Sequence, residues 1–207
     1  MAAESTSAET TLFLPGAGGR RAFWEPVASR LTRAGRSSIF AWPGFGDAPP
    51  DLAIRSLDDL YAWLVARAPE SPSNVVAQSM GGVLAMRFAI EHPDRVRRLV
   101  LVATSGGTRA RLGIDWRPGL RAERAEVPDW FERDRTELNE RLAEARAPTL
   151  LIFGDDDPIA PVAMGEHLLS LLPNARLLVV EGGSHLLAEE RHDEVARAID
   201  EHLAAAS

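Results

Sequence analysis

Ser79, His185 and the aspartate run Asp155 to Asp157 are the residues whose types and settings suit one chemistry. Val75-Val76-Ala77-Gln78-Ser79-Met80-Gly81-Gly82 places a serine where an apolar run meets a glycine-led helical pattern. A sharp turn at such a junction pushes the hydroxyl out at the carboxyl end of a sheet. Strand and helix pass close together there, and Ala77 and Gly81 supply the small residues this requires. The helix start behind Ser79 also favours negative charge. A serine that only caps a helix fits this motif equally well. A hydroxyl nucleophile needs a base, and the chain has five histidines. His92 ends a helical pattern, while His167, His192 and His202 fall inside such patterns. His185 alone follows a strand directly, in the loop Glu181-Gly182-Gly183-Ser184-His185. Loops after the strands of a parallel sheet gather at its carboxyl edge, so His185 and Ser79 can meet.

A histidine base needs a carboxylate to fix its tautomer and stabilise the imidazolium. Phe153-Gly154-Asp155-Asp156-Asp157-Pro158 offers three, whereas Thr104-Ser105-Gly106-Gly107 offers none. Consecutive aspartates are not a calcium-loop pattern. For Asp155 and Asp156 an acidic turn is the simpler reading. Acyl transfer also needs two N–H donors for an oxyanion. Met80, directly after the serine, is one. The loop Pro15-Gly16-Ala17-Gly18-Gly19 offers the other, at Ala17. A dinucleotide-binding reading of that loop fails, because Arg21 occupies the third glycine position and no acidic residue closes the next strand.

These residues have to be held by a sheet. Thr11–Leu14, Ser38–Trp42, Asn74–Ala77, Val96–Thr104, Thr149–Phe153 and Ala175–Val180 read as strands. Leu99-Val100-Leu101-Val102-Ala103 is continuously apolar, as a strand covered on both faces must be. Helical patterns lie between them: Phe23–Ala34 stopped by Gly35, a helix begun by the capping box Ser56-Leu57-Asp58-Asp59, Gly81–Glu91, Pro161–Leu172 and Ala188–Ala204. Six strands alternating with helices predict an α/β fold with a mostly parallel sheet. Residues 107–147 break the alternation and read as a short insertion of one or two helices over one end of the sheet. Residues 1–106 and 148–207 are then the core domain.

The 207 residues carry a net charge of −7 with mixed signs along the chain, unlike the basic face of a nucleic-acid binder. There is no cysteine, which excludes disulfides, thiolate catalysis and cysteine-based zinc sites. All 23 basic residues are arginine, which excludes Schiff-base chemistry and a P-loop lysine. The polar, acidic stretch 1–10 does not read as a signal peptide. No apolar run approaches the ~20 residues that span a bilayer. A cytoplasmic location without membrane or nucleic-acid partners is the expectation.

With these motifs in place, the sequence resembles the α/β-hydrolase superfamily. The order Ser79, Asp157, His185 is that family's chain order. Pro15-Gly16-Ala17-Gly18 resembles its oxyanion loop, and Trp42-Pro43-Gly44-Phe45-Gly46 its Pro-Gly-x-Gly turn. Glu91-His92-Pro93-Asp94-Arg95-Val96, Gly154 with Asp157, and Gly183-Ser184-His185 resemble the lead into its sixth strand, its acid turn and its histidine loop. The resemblance selects Asp157 over its two neighbours. It implies a minimal, six-stranded version lacking the family's first antiparallel pair, with helices on both faces and a short cap. Two departures stand out. Ala77 replaces the first glycine of the serine turn, and Pro15 replaces the usual histidine of the oxyanion loop.

The implied mechanism is two-step acyl transfer at an ester carbonyl, with Ser79 as nucleophile, His185 as base, Asp157 as its orienting acid, and no cofactor or metal. Within the superfamily the chain is most similar to esterases of pimeloyl-acyl-carrier-protein methyl ester, on Pro43–Gly46 and the segment from Ala103 to Trp116-Arg117-Pro118-Gly119. That likeness makes an acyl carrier protein a candidate partner, which Arg109, Arg111, Arg117, Arg121 and Arg124 could meet. A solvated helix face paired with Glu123 and Glu126 is the plainer reading of those arginines. Trp24, Phe45, Trp116 and Trp130 are candidates for an acyl pocket, and each fits a core position equally well. Acyl transfer to another acceptor, C–C hydrolysis, perhydrolysis and a non-catalytic binding role remain as alternatives.

Overall fold

A computed structural model describes residues 9–46, 48–108 and 127–205. The chain forms six strands: β1 Thr10–Leu14, β2 Arg36–Ile39, β3 Ser73–Gln78, β4 Val96–Val102, β5 Thr149–Gly154 and β6 Ala175–Val180, all but the polar edge strand β2 built on apolar runs. They lie in the order β2-β1-β3-β4-β5-β6, and all five pairings are parallel. β3 and β5 are buried along their whole length, as strands covered on both faces must be. Each fully buried Leu or Val side chain in them contributes about 1.5–3 kcal/mol.

The helices are α1 Glu25–Ala28, α2 Leu57–Val65, α3 Met80–Glu91, α4 Val162–Leu171, α5 Leu187–Glu190 and α6 His192–Ala204. The chain first steps from β1 to β2, then reverses across β1 to β3 and continues to β6. Right-handed crossovers must therefore place α1 on the face opposite to α2, α3 and α4. The contacts agree. α1 packs on α5 and α6, while α3 lies on β1, β3 and β4 and α4 on β5 and β6. The Arg87 guanidinium of α3 stacks 4.1 Å from the Tyr61 ring of α2. α3 is apolar nearly all round because sheet, α2 and the insertion enclose it; the turn Asn139–Glu144 packs against it.

Three elements depart from the sequence reading. The first helix stops at Ala28 rather than Ala34. The Asp200 carboxylate of α6 accepts hydrogen bonds from the backbone N–H groups of Thr32 (2.9 Å) and Arg33 (3.0 Å), which draws this segment out of the helix. The last helix is broken at Arg191, whose φ and ψ of −114° and 35° are not helical. The second strand spans Arg36–Ile39 rather than Ser38–Trp42. Of the insertion, residues 127–147 hold the 3-10 turns Phe131–Arg133 and Asn139–Glu144, and the one or two helices expected across it fall on a stretch, 109–126, that lies outside the described residues. The capping box is present: Ser56 Oγ accepts from Asp59 N–H (3.1 Å), and the Asp59 carboxylate accepts from Arg55 N–H (2.9 Å). Among the described residues no helix is long and apolar enough to cross a membrane.

The reversal of direction falls between β1 and β3. Loops leaving two neighbouring strands for opposite faces open a crevice at their carboxyl ends. Pro15–Gly19 and Ser79 stand on its two sides.

Candidate active site

Ser79 sits between β3 and α3 at φ 51° and ψ −121°, a backbone conformation rare outside glycine. Such a residue costs on the order of 1–3 kcal/mol and persists only where its surroundings hold it. They do so here. Ser79 N–H donates to Val102 O at the end of β4 (3.0 Å). Ser79 C=O accepts from Gly82 N–H (2.9 Å) and from the Thr104 hydroxyl (2.6 Å). A Cβ at Gly81 would lie 2.4 Å from Pro15 O and 2.7 Å from Leu14 O, so only glycine lets α3 start so close to β1. Ala77 is fully buried in register between Leu14 and Leu101, and its methyl is accommodated there.

The loops after β5 and β6 are laced together. Asp155 Oδ1 accepts from Gly182 N–H at 2.6 Å, and Asp156 N–H donates to Gly183 O at 3.1 Å. The backbones touch at two glycines, since a Cβ on Gly154 would lie 2.0 Å from Gly183 O. This pairing sets the Asp157 carboxylate against the His185 ring. Asp157 Oδ1 accepts from the N–H groups of Ile159 (2.8 Å) and Ala160 (2.9 Å), and Oδ2 lies 2.8 Å from His185 Nδ1. His185 Nε2 lies 3.1 Å from Ser79 Oγ. A carboxylate only accepts, so Nδ1 carries the proton and the Nε2 lone pair faces the hydroxyl. The Asp157 side chain is wholly buried and that of His185 nearly so, which strengthens both contacts. The Gln78 amide donates to His185 O (3.2 Å), tying the histidine loop to the residue before the serine.

Gly16 packs against this turn: a Cβ there would lie 3.0 Å from the Ser79 Cβ. Neither the Ala17 nor the Met80 N–H has an acceptor among the described residues, and both residues are buried. Asp155 and Asp156 point elsewhere and are exposed, as an acidic turn would be.

The aromatic residues divide. Trp24 is fully buried beneath β1, its indole N–H donating to Leu14 O (3.0 Å), and packs edge-on against Phe23. It is part of the core and is not brought to the crevice. Phe45 is fully buried too, with ring centroids 5.6 Å from Trp130 and 5.7 Å from Phe131, so it anchors the insertion to the turn after β2. Trp130 is half-buried in this cluster. Trp116 and Arg109, Arg111, Arg117, Arg121 and Arg124 lie outside the described residues. Thr104, Gln78 and Asp155 are holding residues that sequence reading missed. A short polar residue after a strand is the only trace Thr104 leaves, while the position of Gln78 beside the serine was a usable signal.

The α/β hydrolase fold family matches residues 11–145, and the TAP-like protein family matches residues 121–207. The chain is 29% identical to a pimeloyl-[acyl-carrier protein] methyl ester esterase of Chromobacterium violaceum, over 86% of this chain and 87% of that one. It is 30% identical to a 2-hydroxymuconate semialdehyde hydrolase of Pseudomonas putida, over 64% and 63%. The crystal structure of a membrane phospholipase A, a bacterial virulence factor, superposes with a TM-score of 0.79 at 25% identity, over 96% of this chain and 79% of that one. The chain belongs to the α/β hydrolase fold family, and these relatives are hydrolases.

Proposed function

We propose that this family member is a serine hydrolase that cleaves a carboxylic ester through an acyl-enzyme on Ser79. The observation that carries the reading is the relay of two contacts, 3.1 Å from Ser79 Oγ to His185 Nε2 and 2.8 Å from Nδ1 to Asp157. In the first step His185 takes the hydroxyl proton as Ser79 Oγ attacks the ester carbonyl. The tetrahedral oxyanion accepts from the Ala17 and Met80 N–H groups. The C–O bond to the alcohol breaks, and His185 returns the proton to the leaving oxygen. In the second step His185 takes a proton from water as the water oxygen adds to the acyl carbon; the bond from that carbon to Ser79 Oγ then breaks, His185 returns the proton to Oγ, and the acid leaves. Asp157 holds the ring tautomer throughout. None of these steps calls on a cofactor or metal.

Residues 107–147 act in this reading as a short cap over the crevice, with Phe45, Trp130 and Phe131 as its fixed root. Esters carried on an acyl carrier protein are the first substrate class to assay, because the C. violaceum relative is named for one. The name of the P. putida relative makes C–C hydrolysis at the same serine the second.

A fluorophosphonate probe and p-nitrophenyl esters of increasing chain length test the proposal. The expected result is labelling and turnover by the wild type, neither by Ser79→Ala, and a loss in His185→Ala as severe as in Ser79→Ala. Turnover that survives Ser79→Ala at the wild-type level overturns it.

A further inference from the structure

We propose that Trp42 is a positioning residue that clamps both ends of the loop bearing the Ala17 N–H, and so fixes one of the two oxyanion donors. The inference rests on the serine-hydrolase reading above. The Trp42 indole N–H donates to Pro15 O at 2.7 Å, and its backbone N–H donates to Gly19 O at 3.2 Å. One residue thus holds the carbonyls on either side of Gly16-Ala17-Gly18. Inside that span Gly19 N–H closes a turn onto Gly16 O at 3.0 Å, and the Ala17 N–H is left without an acceptor among the described residues.

The clamp is itself immobilised. Trp42 is fully buried, with ring centroids 6.1 Å from Phe40 and 6.2 Å from Trp63. The residues after it press on the same loop. A Cβ at Gly46 would lie 2.5 Å from Gly18 O, and one at Gly19 would lie 2.4 Å from the Phe45 Cβ. On the far side, Gly81 leaves no room between α3 and the Pro15 carbonyl. The loop is therefore pinned between the serine turn and the 42–46 segment. A buried indole N–H finds some acceptor in most proteins. The second bond, from the same residue to the other end of the loop, is what makes this one a clamp. It also explains how the loop is anchored with proline at position 15, which brings no side-chain donor of its own. An oxyanion donor must sit within about 0.5 Å of its place, and a loop held at one end alone would swing its peptides.

Two replacements test this: Trp42→Phe, and 3-benzothienylalanine at position 42, which keeps the bicyclic shape with sulfur in place of N–H. Trp63→Phe is the packing control, since Trp63 shares the aromatic contacts. With p-nitrophenyl butyrate we expect kcat to fall roughly 10-fold in both position-42 enzymes, with KM within about two-fold of wild type. Affinity for a trifluoromethyl ketone, which forms the oxyanion adduct, should fall by a similar factor. The acid limb of the kcat profile should keep its midpoint, because the His185–Asp157 pair is untouched. If Trp42→Phe does not fold, the benzothienyl enzyme decides. Wild-type kcat and ketone affinity in that enzyme, or an equal loss in Trp63→Phe, overturns the clamp. Absence of both turnover and probe labelling in the wild type overturns the serine-hydrolase reading, and the clamp's role with it, before any variant is made.

Discussion

Replacing Thr104 by valine removes one hydroxyl from beneath the serine turn and keeps the shape of the side chain. Thr104 is 1% exposed, and its Oγ1 makes two bonds. It donates to Ser79 O at 2.6 Å and accepts from the buried Gly106 N–H at 3.0 Å. The Ser79 carbonyl keeps its bond from Gly82 N–H, so its share of the loss is about 1 kcal/mol. Gly106 loses its only acceptor among the described residues, which costs about 1 kcal/mol more. Thr104→Val should therefore lower stability by about 2 kcal/mol, or Tm by about 4–8 °C in a domain of this size. The strained backbone at Ser79 is also freed to relax, and kcat should drop several-fold by misplacement of the hydroxyl. Thr104→Ser keeps the donor and should keep most of the activity. Urea denaturation and p-nitrophenyl ester turnover on the three proteins measure both effects. A valine enzyme within about 0.5 kcal/mol of wild type and equally active would refute the view that this hydroxyl holds the turn.

Two further outcomes follow from buried contacts. Burial, with Arg176 and Arg98 nearby, pulls the His202 pKa down to about 4 from the ordinary 6.5, and its Nε2 donates to Pro148 O at 3.1 Å. Below pH 6.5 the unfolded chain takes up a proton that the folded one refuses. Stability should thus fall by about 2 kcal/mol between pH 6.5 and 4, and His202→Gln should flatten that slope in denaturation curves. At the acid turn, Gly154→Ala forces a Cβ against the Gly183 carbonyl, where backbone meets backbone. It should cost about 3 kcal/mol and most of the activity, because His185 moves away from Asp157; calorimetry and ester assays check both.

What the sequence revealed and what it hid follow from the range of the forces involved. Ser79, Asp157 and His185 were legible because each sits in a turn directly after an apolar run, and a parallel sheet brings such turns together. The inner strands β3 and β5 were legible because burial on both faces leaves an unbroken apolar mark, whereas the edge strand β2, polar and partly exposed, carries no such mark and was read two residues late. The early end of α1 was not legible, because it depends on Asp200, far along the chain. Trp24 and Phe45 read as pocket candidates because an aromatic ring looks alike in a core and in a binding site. The structure puts both fully inside. Asp155 read as an ordinary acidic turn, and nothing in its neighbours hinted that its carboxylate accepts from Gly182. The bonds from Trp42 to the Pro15 and Gly19 carbonyls were hidden too, because backbone carbonyls are supplied by any residue type.

All the parts named for chemistry hang from the carboxyl ends of β1, β3, β5 and β6, and the opposite rim of the sheet carries none of them. Ser71 and Pro72, which lead into β3 on that rim, are exposed. A tether placed there would present the crevice to the bulk solution. The enzyme could thus be fixed to a bead or fused to a second catalyst without screening its entrance, with one side of the sheet serving as a handle and the other as the workface.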